Sequence, residues 1–172
     1  MDSERLVAQL ASFQATLSAV TRGIDAADAR WRPAEGAWSI LEIVAHIADE
    51  ETLDFRTRTE LTLAGAGEAW PPSDPAGDVV NKDFNSRDLT AEVERFGSAR
   101  QESLHWLASL DAPDWNLTYE HPALGALRAG DVLASWAAHD VLHLRGLTLR
   151  RFQLIERDSG SFDTAYAGRW PD

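Results

Sequence analysis

His139 and His143 lie four residues apart in the stretch Trp136-Ala-Ala-His139-Asp140-Val141-Leu142-His143-Leu144-Arg145-Gly146. On a helix that spacing stacks two imidazoles on one face, where both can reach a single metal ion. Val132, Trp136, Leu147 and Arg150 continue a 4-3-4-4-3 rhythm through the pair. That is the buried stripe of a bundle helix, so both rings point inward. Buried imidazoles need polar partners. Two separately hydrogen-bonded core histidines would satisfy that need, and so would one shared metal ion.

A third histidine has the same inward placement on another helix. Ser39-Ile40-Leu41-Glu42 is a capping box, in which the Ser39 hydroxyl and the Glu42 carboxylate satisfy free backbone donors at a helix start. Trp38 precedes it and can pack back on Ile43 as a hydrophobic staple. Ile40, Ile43, Val44 and Ile47 set the buried face, and His46 sits within it beside Ile43 and Ile47. His46 is about two turns past the cap, and His139 and His143 are about two to three turns into the last long helix. If these helices are neighbours running the same way, the levels coincide. Three nitrogen ligands on one side of an ion leave the other side open to water or substrate, as in a catalytic site. Such an ion lowers the pKa of a bound water or thiol towards neutrality. Nitrogen donors suit zinc or nickel foremost, with iron or manganese behind them.

Glu50 lies one turn beyond His46 on the same face and is the candidate catalytic carboxylate. It can orient a ligand, bind the ion or act as a base, and its plain alternative is a solvent-exposed helix carboxylate. Asp49 and Asp140 are weaker neighbours of the site. Trp38, Trp70 and Trp136 read as core or pocket wall rather than chemistry. Two rival motifs fall short. Glu102-x-x-His105 resembles half of a di-iron element, but such a site needs two of these motifs plus two further glutamates. The pair also lines up with Arg95, Ser98 and Ser109, opposite the apolar seam, so His105 reads as surface. His139-Asp140-x-x-His143 is similar to the zinc-protease pattern, with Gly146 suitably placed. Leu149 stands where the third ligand would be, however, and the shorter Asp140 replaces the general-base glutamate.

The whole chain sets the limits of the chemistry. Its 172 residues suit one domain, 1–172, and a composition of 44% hydrophobic and 26% charged residues suits a soluble protein. Sixteen basic against 28 acidic residues leave a net charge of −12, with no basic stripe, which disfavours nucleic acid. With no cysteine, thiolate ligands and protein-borne thiol nucleophiles are excluded, so any metal is held by nitrogen and oxygen. The charged start at Asp2, Glu4 and Arg5 does not suit a signal peptide, and no apolar run suits a membrane span. A cytoplasmic location is the expectation, and the glycosylation pattern Asn116-Leu117-Thr118 then carries little weight.

The positioning elements are four amphipathic helices. Ser3 can cap the first, with Leu6, Leu10, Phe13, Leu17 and Val20 inward and Gly23 as a stop. A connection with Ile24, Trp31, Pro33 and Gly36 follows. The second helix runs to about Leu63, its polar second half able to bury only a narrow seam. Residues 64–88 make a long irregular connection, long enough to run back along a helix so that helices two and three lie parallel. Trp70 and Phe84 within it could roof a pocket, and the tip near Ser73 to Asp78 reads as surface loop. Thr90 can cap helix three, with Val93, Phe96, Leu104 and Leu107 inward. Residues 111–130 form the next connection, with a loose hairpin near Leu117 to Tyr119 and His121 in a loop. Helix four spans about Asp131 to Ile155, and the tail 157–172, with Phe162, Tyr166 and Trp170, packs onto the bundle. An all-α four-helix bundle with long connections between helices two and three and between three and four is the economical fold.

Together, Trp38-Ser39-Ile40-Leu41-Glu42-Ile43-Val44-Ala45-His46-Ile47-Ala48-Asp49-Glu50, the Trp136 to Arg145 stretch and Arg32-Pro33 resemble the DinB/YfiT-like superfamily of metalloenzymes. The resemblance extends over nearly the full chain. It implies an up-down-down-up bundle and a divalent metal held by His46, His139 and His143. It also implies a small-molecule substrate, S-transfer from a low-molecular-weight thiol, and a homodimer. A metal-dependent hydrolase, or a non-catalytic metal-binding or dimerisation bundle, are the alternatives.

Overall fold

A computed structural model of the protein describes residues 1–65 and 67–171. The first helix, α1 (Ser3–Thr21), buries Leu10, Phe13 and Leu17 as its periodicity predicts. Its cap lies one residue earlier than expected. The Asp2 carboxylate accepts from the Arg5 amide at 3.0 Å, so Ser3 is already helical. A short α2 (Ala26–Arg30) lies in the connection that follows.

The capping box forms as the sequence predicts and starts α3 (Ile40–Glu50). The Glu42 amide donates to Ser39 Oγ at 3.1 Å, and the Ser39 amide donates to Glu42 Oε2 at 2.8 Å. Glu42 also pairs with Arg32, so its carboxylate is buried without being unsatisfied. Every residue from Ile40 to Asp49 is buried, far more than one stripe. The cover comes from the long connection, where α5 (Pro75–Asn81) and a single turn at Phe84–Ser86 bring Val79 and Phe84 against Ala45 and Trp38. The supposed surface tip is therefore partly helical, and Phe84 belongs to the core.

Beyond Glu50 the helix widens into a π-helical segment, Glu51–Arg56, then resumes as α4 (Thr57–Ala64). The Thr57 hydroxyl donates to the Thr52 carbonyl five residues back, at 2.6 Å. Gly65, at φ 64°, closes the helix in the left-handed conformation glycine tolerates. The second half buries only a narrow seam, as its polar sequence predicts, but acids lie within that seam. Glu51, Asp54, Thr59 and Thr62 are buried, the two acids because arginines meet them.

Helix α6 (Leu89–Ser109) is capped by Asp88 rather than Thr90, the carboxylate accepting from the Ala91 amide at 2.9 Å. A two-stranded antiparallel hairpin follows, β1 (Thr118–His121) and β2 (Gly125–Arg128), with Thr118 opposite Arg128. His121 is thus the last residue of a strand, not a loop residue. It pairs with Gly125, and its Nδ1 accepts from the Ala123 and Leu124 amides. The last helix, α7 (Ala129–Ser159), extends past the expected boundaries at both ends. The tail returns along it, with Trp170 5.5 Å from Phe152 between ring centres.

Side-chain contacts set the direction of each helix. Arg95 reaches the Ala45 carbonyl, Arg100 reaches Glu51 and Arg56 reaches Glu102, so α3 with its continuation runs parallel to α6. Arg150 donates to the Trp38 carbonyl while Trp136 donates to Glu51, so α3 and α7 are antiparallel. Arg151 donates to the Val20 carbonyl and Gly130 lies against Met1, so α1 and α7 are parallel. The result is an up-down-down-up four-helix bundle. It is the topology that the resemblance implied, and it meets the condition that the second and fourth helices be neighbours but not that they run the same way. The histidine levels still meet, because α7 overhangs α3 and its middle, not its start, faces His46.

Candidate metal centre

Three histidines converge where α3 crosses α7. His139 Nε2 lies 3.3 Å from His46 Nε2 and 3.0 Å from His143 Nε2. The potential ligand atoms of all three fall within 4.8 Å of one another, a grouping that could hold a metal ion. Two imidazoles on a tetrahedral zinc would have nitrogens about 3.3 Å apart, given metal–nitrogen bonds of about 2.0–2.1 Å. The donor chemistry fits as well. Burial lowers the pKa of His46 to about 4, of His139 to about 3 and of His143 to about 4. For His46 and His139 the proximity of the other rings adds to the effect. All three rings are neutral at pH 7, and one cation can satisfy lone pairs that no single shared proton can.

The dry surroundings are built by aromatic residues. Trp38 lies parallel to the His143 ring, at 6.4 Å between centres, and 5.0 Å from His46. Phe55 packs 4.8 Å from His139. The π segment accounts for this placement. Four residues separate His46 from Glu50 and five separate Glu50 from Phe55. The extra residue per turn lets all three line one cavity while Glu51 turns towards α6. That cavity, of about 530 Å³, holds the histidines, Glu50, Asp54, Arg58 and Trp70 in its wall. The expected roof is therefore half present: Trp70 contributes and Phe84 does not. Burial and the adjacent Asp54 carboxyl raise the Glu50 pKa to about 7. Glu50 is only partly buried, and Asp54 is held by Arg58 at 2.9 Å.

Arg100 of α6, 1% exposed, ties four helical segments together beside the histidines. Its five N–H donors all find acceptors: two on Glu51, two on Asp140 and the Leu10 carbonyl, at 2.7 to 3.0 Å. Glu51 Oε2 also accepts from Trp136 Nε1 at 2.9 Å. Asp140 adjoins His139 in the chain and Trp136 lies one turn earlier, so the cluster fixes the rotation of α7 that aims both its histidines. Asp140 therefore serves the site from behind. Asp49 faces away from the triad, bound by Lys82 and Arg95 at 2.8 Å each. Trp136 is core, as expected. The sequence reading omitted Arg100 and Glu51. A signal for the arginine was available, since Arg100 falls four residues after Phe96 and four before Leu104, on the apolar seam. His105 is exposed as expected, and neither it nor His121 joins the triad.

The family model of the DinB superfamily matches residues 9–147. The chain belongs to the DinB superfamily. Its fold is also that of YfiT from Bacillus subtilis, described as a probable metal-dependent hydrolase with an unusual four-helix bundle topology. That structure superposes with a TM-score of 0.79 at 17% identity, covering 88% of this chain and 87% of YfiT. No curated protein sequence matches the chain. In this DinB-superfamily chain all three histidines stand together at the junction of α3 and α7.

Proposed function

We propose that the protein is a metal-dependent hydrolase of small esters or amides, with His46, His139 and His143 holding a divalent ion and Glu50 acting as the proton acceptor. The observation that carries this is the convergence of three imidazole Nε2 atoms, from one buried and two half-buried histidines, at one end of a cavity large enough for a substrate. Zinc or nickel suits the donors foremost, and iron or manganese also accept nitrogen ligands. When bound, such an ion polarises a carbonyl and lowers the pKa of a water or thiol towards neutrality.

The chain's own residues do the rest. Glu50, with a pKa raised to about 7, is matched to taking a proton near neutral pH and returning it to a leaving group. Asp54, held by Arg58, keeps a charge beside Glu50 that sustains this basicity. Trp38 and Phe55 exclude water from the reacting end, which strengthens every polar interaction there. The description of YfiT as a metal-dependent hydrolase agrees with this reading.

Thiol transfer is the second reading. A chain without cysteine would take its sulfur nucleophile from a low-molecular-weight thiol in solution, with Glu50 accepting the thiol proton. Val141 and Leu142, 61% and 66% exposed on α7, support the further proposal that the chain forms a homodimer. A panel of neutral esters and amides, run with and without added small thiols on metal-loaded protein, separates the two chemistries. Metal-dependent turnover without thiol supports hydrolysis. Turnover only with thiol would replace it with transfer.

A further inference from the structure

Two charged groups in the cavity wall are each held by a partner of opposite charge. Arg58 is held by Asp54 at 2.9 Å, and Asp131 at the rim is held by Arg128 at 2.8 Å. Glu50 faces Asp54, and its raised pKa of about 7 leaves it only partly charged at neutral pH. Among the described residues lining the cavity, no cationic side chain stands free to receive a carboxylate or phosphate on a substrate. The rest of the wall is largely apolar: Trp38, Phe55, Trp70, Leu124, Leu127 and Val132.

Trp70 is well fixed for a residue in a connection. Its ring stacks on Tyr119 with centres 4.3 Å apart and planes 11° apart. Its amide donates to the Tyr119 hydroxyl at 3.2 Å, and the Arg58 guanidinium sits 5.1 Å from its ring centre. The hairpin supplies Leu127 from β2 beside it. One end of the cavity therefore carries nitrogen donors, and the other carries a preformed apolar wall.

We propose that the substrate has an aromatic or bulky aliphatic portion that carries no carboxylate or phosphate, with its reacting group at the histidines and this apolar portion against Trp70 and Leu127. This rests on the metal-dependent reading above. Apolar burial would supply affinity, while an anionic group at the Trp70 end, away from the histidines, would enter the cavity without a free cationic side chain.

Cobalt-loaded protein titrated with hydroxamates, followed by the visible absorption of the metal, tests the proposal. Benzohydroxamate is expected to bind at least tenfold more tightly than acetohydroxamate. It should also bind at least tenfold more tightly than its 4-carboxy derivative. Trp70→Ala should reduce the benzohydroxamate advantage to less than threefold, and Leu127→Lys should shift preference to the 4-carboxy derivative. The 4-carboxy derivative binding as tightly as benzohydroxamate, or no gain over acetohydroxamate, would overturn the substrate class. If cobalt does not bind, the metal-dependent reading fails before any hydroxamate is added. Saturation-transfer NMR with benzamide and benzoate on the metal-free protein then decides the substrate class alone. Benzamide contacts stronger than benzoate contacts, and lost in Trp70→Ala, support it, and equal or stronger benzoate contacts overturn it.

Discussion

The indole of Trp136 donates to the Glu51 carboxylate at 2.9 Å, joining residues 85 positions apart in the chain. Trp136 lies one helical turn before His139, and Glu51 begins the π segment five residues after His46. The contact therefore locks together the two helices that carry the histidines, and Arg100 locks both to α6 and α1. Removing the guanidinium would leave Glu51 and Asp140 buried without a counter-charge. Arg100→Met is expected to cost about 3–5 kcal/mol in urea unfolding and to weaken zinc binding at least tenfold in the fraction that folds. Unchanged stability would show that the cluster does not hold the bundle.

Glu50→Gln is expected to stabilise the fold at alkaline pH. The folded-state pKa of Glu50 is raised to about 7 from 4.5, so the native state holds the proton more tightly than the unfolded chain. That contribution is full below pH 4.5 and is lost as pH rises through 7, where the ionised carboxylate is less stable in its site than a neutral glutamine would be. The glutamine variant should gain on the order of 1–3 kcal/mol at pH 8 and little at pH 4, measured by unfolding at both. If Glu50 is also the proton acceptor, turnover of any substrate the panel reveals should fall by about a hundredfold or more.

Protein stripped of metal should lose stability on mild acidification. The three histidines have folded pKa values of about 4, 3 and 4, below the ordinary 6.5. The unfolded chain therefore binds more protons between about pH 4 and 6.5, and these groups' stabilisation, complete above 6.5, falls through that window. The loss should be on the order of 1–3 kcal/mol per histidine, offset in part by Glu50, whose shift has the opposite sign. Unfolding curves at pH 7, 5.5 and 4.5 check this, with His143→Gln expected to show a shallower fall than the wild type.

His105 and His121 provide the controls. His105→Ala and His121→Ala should leave zinc affinity within threefold of the wild type by competition with a chromophoric chelator. A tenfold loss in either would place a ligand outside the triad.

The helices and their inward histidines were legible because both rest on local patterns: apolar periodicity, the Ser39–Glu42 capping box and the four-residue spacing of His139 and His143. The level at which the second and fourth helices meet was not, because it depends on how far α7 overhangs α3, which no short-range pattern encodes. The π segment was hidden for a related reason: Glu51 and Arg56 read as a solvated face until Arg100 and Glu102 are brought to them from helix three, while Arg58 meets Asp54 from one turn along the same helix. Arg100 itself sat on the apolar seam of helix three, and its long charged side chain disguised a core position. Caps were misplaced by one or two residues, at Ser3 for Asp2 and Thr90 for Asp88, because adjacent polar residues compete for the same role.

The central claim is tested most directly by elemental analysis of untagged protein purified without added metal, followed by zinc titration of the wild type and of His143→Ala. The expected result is one equivalent of a divalent transition metal per chain, or uptake of one equivalent of zinc, with at least a hundredfold weaker binding in His143→Ala while its helical content is retained. Less than about a tenth of an equivalent as purified, with no zinc uptake, would contradict a metal centre at His46, His139 and His143.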